Sequence, residues 1–335
     1  VMALLGREAE VLMQGKAASF DCVDDYVDCG SDESLDLTDF TFEAWIKAND
    51  ISDYPYIISK GDWGSSSGGY HFQIYPDGKV NVGTSQAGAY QETRSGSGVI
   101  VTGEWIHLVA TKSGDRVRIY KNGMETSYSL IGNHVDPAGF DRNLYIAIYG
   151  GTSNKFDGVI DEVRVYNRAL TPEEVQEHYQ GIYRDESGLV LYLPFENDAE
   201  DYSGQGNHGI NYGAIFTDGV FIPIGYARSV RIGMDASLIK IYNIGSDEPD
   251  VLESAEKSFT VSIERMYIDR RLAKNYLLEK RPFTLHVKPA GSGAGLELIK
   301  LLDVHLTSYS LSIEQDGLIL ESVEGEASDL VFTTQ

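Results

Sequence analysis

Between Ala18 and Asn167, apolar and polar residues alternate in short runs: FTFEAWIK, GYHFQIY, KVNVG, EWIHLVATK, RVRIYKNG, NLYIAIY and GVIDEVRVYN. In the first run Phe42, Ala44 and Ile46 share one face and Glu43, Trp45 and Lys47 the other, the period of a half-buried strand. Pro76-Asp77-Gly78 and Asn122-Gly123 separate such runs with hairpin chemistry. Many short strands with turns at this spacing predict a two-sheet antiparallel sandwich. LTPEEVQEHYQG breaks the alternation: Thr171 stands as N-cap, Pro172 opens the helix, Glu174 can close a capping box and Gly181 stops it. After about Ile222 the strands lengthen, in ARSVRIGM, LIKIYNI, KSFTVSIERM, PFTLHVK, LLDVHLTSYSLSIEQDG and LILESVEGEA. DRRLAKNYLLEK interrupts them with Leu272, Tyr276 and Leu277 at helical spacing behind Asp269, and AGSGAG (290–295) reads as a loop. The fold class is all-β: a sandwich, then a second β-sandwich or barrel with one short helix.

Composition adds limits. With 335 residues, 42% of them hydrophobic, the chain can fill two cores. No run of about 18 apolar residues occurs and the N-terminus lacks a long apolar stretch, so neither a membrane span nor a signal peptide is expected. A net charge of −24, from 51 acidic and 27 basic side chains, argues against gripping nucleic acid through its phosphates. Cations and uncharged ligands suit it better. The two cysteines, in FDCVDDYVDC, lie at a turn and several residues along the returning strand. At about 3.3 Å per residue that exceeds the roughly 7 Å reach of a disulfide, so free thiols are expected.

Residues 16–181 resemble laminin-G-like, concanavalin A-type jelly-roll modules, on KAASFDCVDDYVDCG, FTFEAWIKA, IISKG, EWIHLVATKSGDRVRIYKNG and FDGVIDEVRVYNRALTPEEVQEHYQG. In that family a segment like GLVLYLPFEN…DYSGQGNHGINYGA…DGVF precedes the rest; here it follows. Either a truncated second repeat begins there, or the module is circularly permuted and residues 186–221 return as its first strands. Permutation is favoured, because a lone strand and hairpin would leave an apolar face uncovered. It also brings the ends of 15–221 together, as insertion into another domain requires.

Removing that insert joins residues 1–14 to 222–335. This remnant resembles the tail tube proteins of tailed bacterial and archaeal viruses and of related injection machines, on MALLGREAEVLM, KSFTVSIERMYIDRRLAKNYLLEKRPFTLHV and LLDVHLTSYSLSIEQDGLILESVEGEA. The resemblance implies a tail-tube-like β-sandwich or barrel whose copies form hexameric rings stacked into a tube. It implies self-association, other virion tail proteins as partners, assembly in a host cytoplasm and residence in the virion tail. DNA would pass through the lumen without specific binding, and the jelly roll would sit outside as a glycan-binding or decorating module. The alternative is a free carbohydrate-binding adhesin or lectin-like protein with a scaffold β-domain.

No catalytic residue is expected. Jelly-roll glycosidases need carboxylates at i, i+2 and i+4 on one strand face, whereas Asp161 and Glu162 are adjacent. Asp24, Asp25, Asp161 and Asp201 are candidate ligands for one structural Ca2+, which the jelly-roll family often carries and which takes six to eight oxygens. The competing reading is that these residues cap turns. Tyr54, Tyr56, Trp63, Tyr70 and Tyr90, in or near Gly- and Ser-rich loops, are the glycan candidates. For each, partial burial at a sandwich rim is the alternative. His71 and His107 alternate within strands and are expected to pack, and no His/Cys cluster has zinc spacing.

Overall fold

The computed structural model describes residues 2–61, 68–137, 141–241, 251–265, 283–288, 297–313 and 319–334. The chain divides into two compact units, Lys16–Val220 and Val1–Gly15 with Phe221–Gln335. The strands are β1 (Met2–Asp21), β2 (Tyr26–Asp28), β3 (Phe40–Asp50), β4 (Tyr56–Gly61), β5 (Gly69–Ile74), β6 (Val80–Gln86) and β7 (Ala89–Ser95). They continue with β8 (Ile106–Ser113), β9 (Arg116–Lys121), β10 (Met124–Glu125), β11 (Tyr128–Leu130), β12 (Leu144–Ile146), β13 (Asp157–Tyr166), β14 (Leu189–Leu193) and β15 (Ile210–Tyr212). The last are β16 (Ile215–Ile241), β17 (Val251–Arg265), β18 (Phe283–Lys288), β19 (Glu297–Ile313), β20 (Ile319–Ala327) and β21 (Asp329–Thr334). Among the described residues one α-helix occurs, α1 (Pro172–Tyr179). The protein is thus nearly all-β, built on antiparallel pairings. The helix expected around Leu272–Leu277 and the loop at 290–295 lie outside the described residues.

Residues 16–220 form a concanavalin A-like sandwich. Its first sheet runs β10-β9-β8-β3-β13, with β14 and the end of β1 also pairing β13. Its second runs β11-β7-β6-β5-β4-β12-β2-β15. One core fills the space between: Phe20, Phe42, Ile46 and Val163 meet Ile58, Phe72, Val82 and Ile146. β14 joins the first sheet and β15 the second, so the late segment supplies strands to both. The unit's two ends meet, since Lys16 Nζ pairs with Asp218 at 2.9 Å, and each end is anchored inward: Asp161 accepts from the Val220 backbone N–H and Glu196 from that of Lys16, both at 3.0 Å.

The turns follow their sequence chemistry. Asn122 (φ 50°) and Gly123 (φ 79°) both adopt the left-handed conformation of a two-residue hairpin loop between β9 and β10. In α1 the Thr171 hydroxyl accepts from Glu174 N–H, and the Glu174 carboxylate accepts from Thr171 N–H, the reciprocal box its residues predict.

The half-buried reading of β3 needs correction. Glu43 and Trp45 are as buried as Phe42 and Ala44, because α1 and its flanks cover the sheet's other face. Glu43 accepts from His107 at 2.9 Å and from His178 of α1 at 2.8 Å, and Trp45 stacks near Tyr179. A carboxylate is tolerated there because both oxygens are partnered.

In the unit of 1–15 with 221–335, β16, β17, β20, β19 and β18 pair in that order, β21 also pairs β19, and Glu10–Gln14 of β1 pair β18. Met13, Ile232, Phe259, Val261, Leu285, Leu301 and Val304 form a separate core.

Candidate functional site

Strand alternation sorts the second sheet's side chains. Tyr70, Phe72 and Ile74 of β5 and Val80 and Val82 of β6 enter the core. His71 and Gln73, with Asn81 and Gly83 opposite them on β6, therefore fall on the outer face. Register places Arg94, Glu92 and Tyr90 of β7 beside Asn81, Gly83 and Ser85 on that same face. The imidazole of His71 lies across Gly83, where a Cβ would come within 2.2 Å of the ring, so only glycine leaves room. Tyr90 stacks beside it at 5.9 Å, Tyr56 meets it edge-on at 5.3 Å, and Tyr149 packs on Tyr56 at 4.8 Å.

Polar groups thread between these rings. Asn81 Nδ2 lies 3.1 Å from His71 Nε2 and donates to Gln73 Oε1 at 3.4 Å. Tyr90 donates to Glu92 at 3.0 Å, Glu92 pairs with Arg94, and the Arg94 guanidinium covers the Tyr75 ring at 4.6 Å. Burial lowers His71 to about 3, so the imidazole is neutral and Nε2 can accept. Burial raises the Tyr90 phenol, keeping it a donor. Asn81 Oδ1 and Arg94 Nε meet no hydrogen-bond partner among the described residues. Further along the same face Tyr26 and Tyr212 stack at 4.5 Å with Tyr145 edge-on to Tyr26 at 6.0 Å, near the Asn143–Asp28 hydrogen bond. Flat rings beside fixed neutral donors and acceptors are what a sugar's apolar and hydroxyl faces require.

The structure separates the glycan candidates. Tyr56 and Tyr90 belong to this cluster, in which Tyr56, His71, Gln73 and Asn81 are buried and Tyr90, Glu92 and Arg94 are half-buried. Tyr54, at a strained φ of 54°, stands exposed and edge-on to Tyr75 at 5.1 Å. Tyr70 is a correction: it faces the core against Phe40 and Phe42 and donates to the Leu35 carbonyl at 2.8 Å, because it shares the inward face of β5 with Phe72 and Ile74. Trp63 lies outside the described residues. His71 and His107 are buried, the first among Tyr56, Tyr90 and Asn81 and the second on Glu43. Gln73, Asn81, Glu92, Arg94, Tyr149 and the Tyr26–Tyr145–Tyr212 group were not singled out from the sequence. The alternation in YHFQI and VNV carried the signal for the central ones.

The metal candidates also divide. Asp24 and Asp25 gather with Asp21, their ligand oxygens within 4.8 Å, the only such acidic, His or Cys group among the described residues. Asp25 accepts from Asp21 N–H at 3.0 Å, and Asp21 from Val23 N–H at 2.8 Å. Burial, with the charges of Asp21 and Asp24, raises the Asp25 carboxyl. An all-oxygen set under mutual repulsion fits a hard divalent cation and would supply part of its shell. Asp161 and Asp201 stand outside this group. Asp201 accepts from the backbone N–H of Tyr192, Ser203 and Asn207, each at 2.9 Å, and so folds the Gly-rich segment as a turn cap. Asp161 spends its oxygens on the N–H groups of Glu162 and Val220. Adjacent Glu162 sits at a β-bulge (φ 52°), where Arg164 pairs with it at 2.6 Å and Tyr192 donates to it. Cys22 and Cys29 are free thiols.

Residues 21–176 match the Laminin_G_3 family, described as the Concanavalin A-like lectin/glucanases superfamily. Among solved structures, the chain resembles a candidate carbohydrate binding protein from Bacteroides ovatus at 21% identity, covering 64% of this chain and 62% of that one, with TM-score 0.48. It therefore spans about three fifths of that protein. The Ruminococcus gnavus IT-sialidase CBM40 bound to alpha2,3 sialyllactose matches at 15% identity over 50% of this chain and 97% of that one, TM-score 0.38. A chain from the virion of a native gene transfer agent particle matches at 17% identity over 34% and 89%, TM-score 0.26. No curated protein matches the sequence.

Proposed function

We propose that residues 16–220 are a carbohydrate-binding module, its glycan lying in a trough over the half-buried Tyr90, Glu92 and Arg94, with the buried Tyr56, His71 and Asn81 as its floor. The observation that carries this is the neutral His71–Asn81–Gln73 network set between aromatic rings on the outer face of a lectin-like sandwich. The buried carboxylates outside the trough are engaged by backbone, imidazole or guanidinium partners, which favours binding over bond cleavage. The Asp21–Asp24–Asp25 group would hold a structural Ca2+ that stiffens the turn between β1 and β2. A glycan array with the full chain should give hits that weaken about tenfold or more in Tyr90→Ala, the expected cost of losing a stacking ring. Hits unchanged in that variant would refute the trough.

For the unit of 1–15 with 221–335 we propose the tail-tube role: hexameric rings stacked in a virion tail, DNA in the lumen, and the lectin-like module displayed outside. The reading is supported by its long antiparallel strands, β16, β17 and β19, which suit sheet continuation between copies. Electron microscopy of purified protein should reveal rings or tubes about 100 Å across, a width set by six domains of this size. Monomers at high concentration would leave the free adhesin reading instead.

A further inference from the structure

A second polar recess lies on the outer face of the other sheet. Thr111 and Ser113 of β8 stand directly opposite Arg118 and Arg116 of β9. Leu170 and Pro172, the latter the first residue of α1, wall the space, which measures about 370 Å³. Cross-strand neighbours lie about 4.5–5.5 Å apart at Cβ, so two guanidinium groups and two hydroxyls converge on one small volume. Arg118 spends Nη1 on Glu125 at 3.1 Å, and Tyr128 holds that carboxylate from behind at 2.8 Å. Arg116 is exposed and makes no ion pair among the described residues.

Tyr120 supplies a further observation. It lines the recess, is 2% exposed, and its phenol lies within reach of Thr111 and Arg118. A buried phenol needs polar partners, and here they are the residues of the recess itself. Burial and then Glu125 raise its pKa, so it stays a donor. In a chain of net charge −24, two arginines, one of them answered by Glu125, with two hydroxyls and a buried phenol, make this recess locally more basic than its surroundings. Guanidinium forks bind planar or tetrahedral oxyanions with two parallel hydrogen bonds.

We propose that this recess binds the oxyanion, carboxylate or sulfate, of an acidic sugar, as a site separate from the aromatic trough. Arg116 and Arg118 hold the charged oxygens, Tyr120 donates to one of them, and Thr111 and Ser113 meet the adjoining hydroxyls. The recess is sized for one charged sugar unit rather than a chain.

Calorimetry of the full chain at constant ionic strength tests this with glucose 6-sulfate, glucuronic acid, glucose and inorganic sulfate. At least one charged sugar should bind, with glucose weaker by about tenfold or more. Arg116→Gln should weaken that binding about tenfold, and Tyr120→Phe about threefold with Tm preserved. Tyr90→Ala should leave it intact. Equal binding of glucose, no binding of either charged sugar, or an unaffected Arg116→Gln would overturn the proposal. Inorganic sulfate binding as tightly as glucose 6-sulfate would overturn the sugar assignment, and loss in Tyr90→Ala would move the anion into the trough.

Discussion

Gly83→Ala tests the floor of the trough. A Cβ at this position would lie 2.2 Å from His71 Cε1 and 2.5 Å from Nε2. Carbon contacts settle at about 3.5–4.0 Å, so the ring must retreat by more than about an ångström. Tyr56 and Tyr90 flank it and the imidazole is buried, which leaves little free space for the move. Overpacking of this kind costs about 1–3 kcal/mol. For a unit of this size, each kcal/mol lowers Tm by about 2–4 °C. In a His71→Ala background the clash disappears, and the same substitution should be neutral or gain about 0.5–1 kcal/mol, as alanine replaces a strand glycine. Urea and thermal unfolding of the four proteins complete a double-mutant cycle with an expected coupling of about 1 kcal/mol or more. Equal costs of Gly83→Ala in both backgrounds would refute the assignment of the ring to that floor.

Thr171→Ala should remove about 1 kcal/mol by opening the capping box of α1, read from urea unfolding, while an unchanged midpoint would contradict the box. Although burial opposes its charge, Glu43 is held well below the ordinary carboxyl range by His178 and His107. Its folded-state pKa is depressed, so its stabilisation is present above the unfolded value of about 4.3 and is lost as pH falls through the folded one. Glu43→Gln should flatten the acid limb of stability against pH, and an identical limb in both proteins would count against this. Chelation with EDTA should lower Tm if Asp21, Asp24 and Asp25 hold Ca2+, and Asp25→Asn should abolish that difference; a melting curve indifferent to chelator ends the calcium proposal.

Local rules made much of this molecule readable. The α1 cap depends on four neighbouring residues, and the Asn122-Gly123 turn on two, so both can be read without knowing what packs nearby. Glu43 and Trp45 defeat the same approach because their burial depends on α1, more than 120 residues later in sequence. Gly-rich neighbours suggest a loop aromatic at Tyr70, yet register, not neighbourhood, decides which face a strand residue takes. The trough joins β4, β5, β6 and β7 with the Tyr149 segment, and its polar members look like ordinary outward residues in any one strand. Asp201 shows the converse: a carboxylate beside glycines suggests a ligand, but three backbone N–H groups already occupy it.

The most direct test of the central proposal is where a bound glycan lands. Chemical-shift mapping of the full chain with an array-positive oligosaccharide should perturb His71, Asn81, Tyr90, Glu92 and Arg94 together, with Tyr70 and Tyr166 of the interior little changed. Perturbations confined to other surfaces, with the His71 and Tyr90 signals unmoved at saturation, would contradict a glycan site on the second sheet.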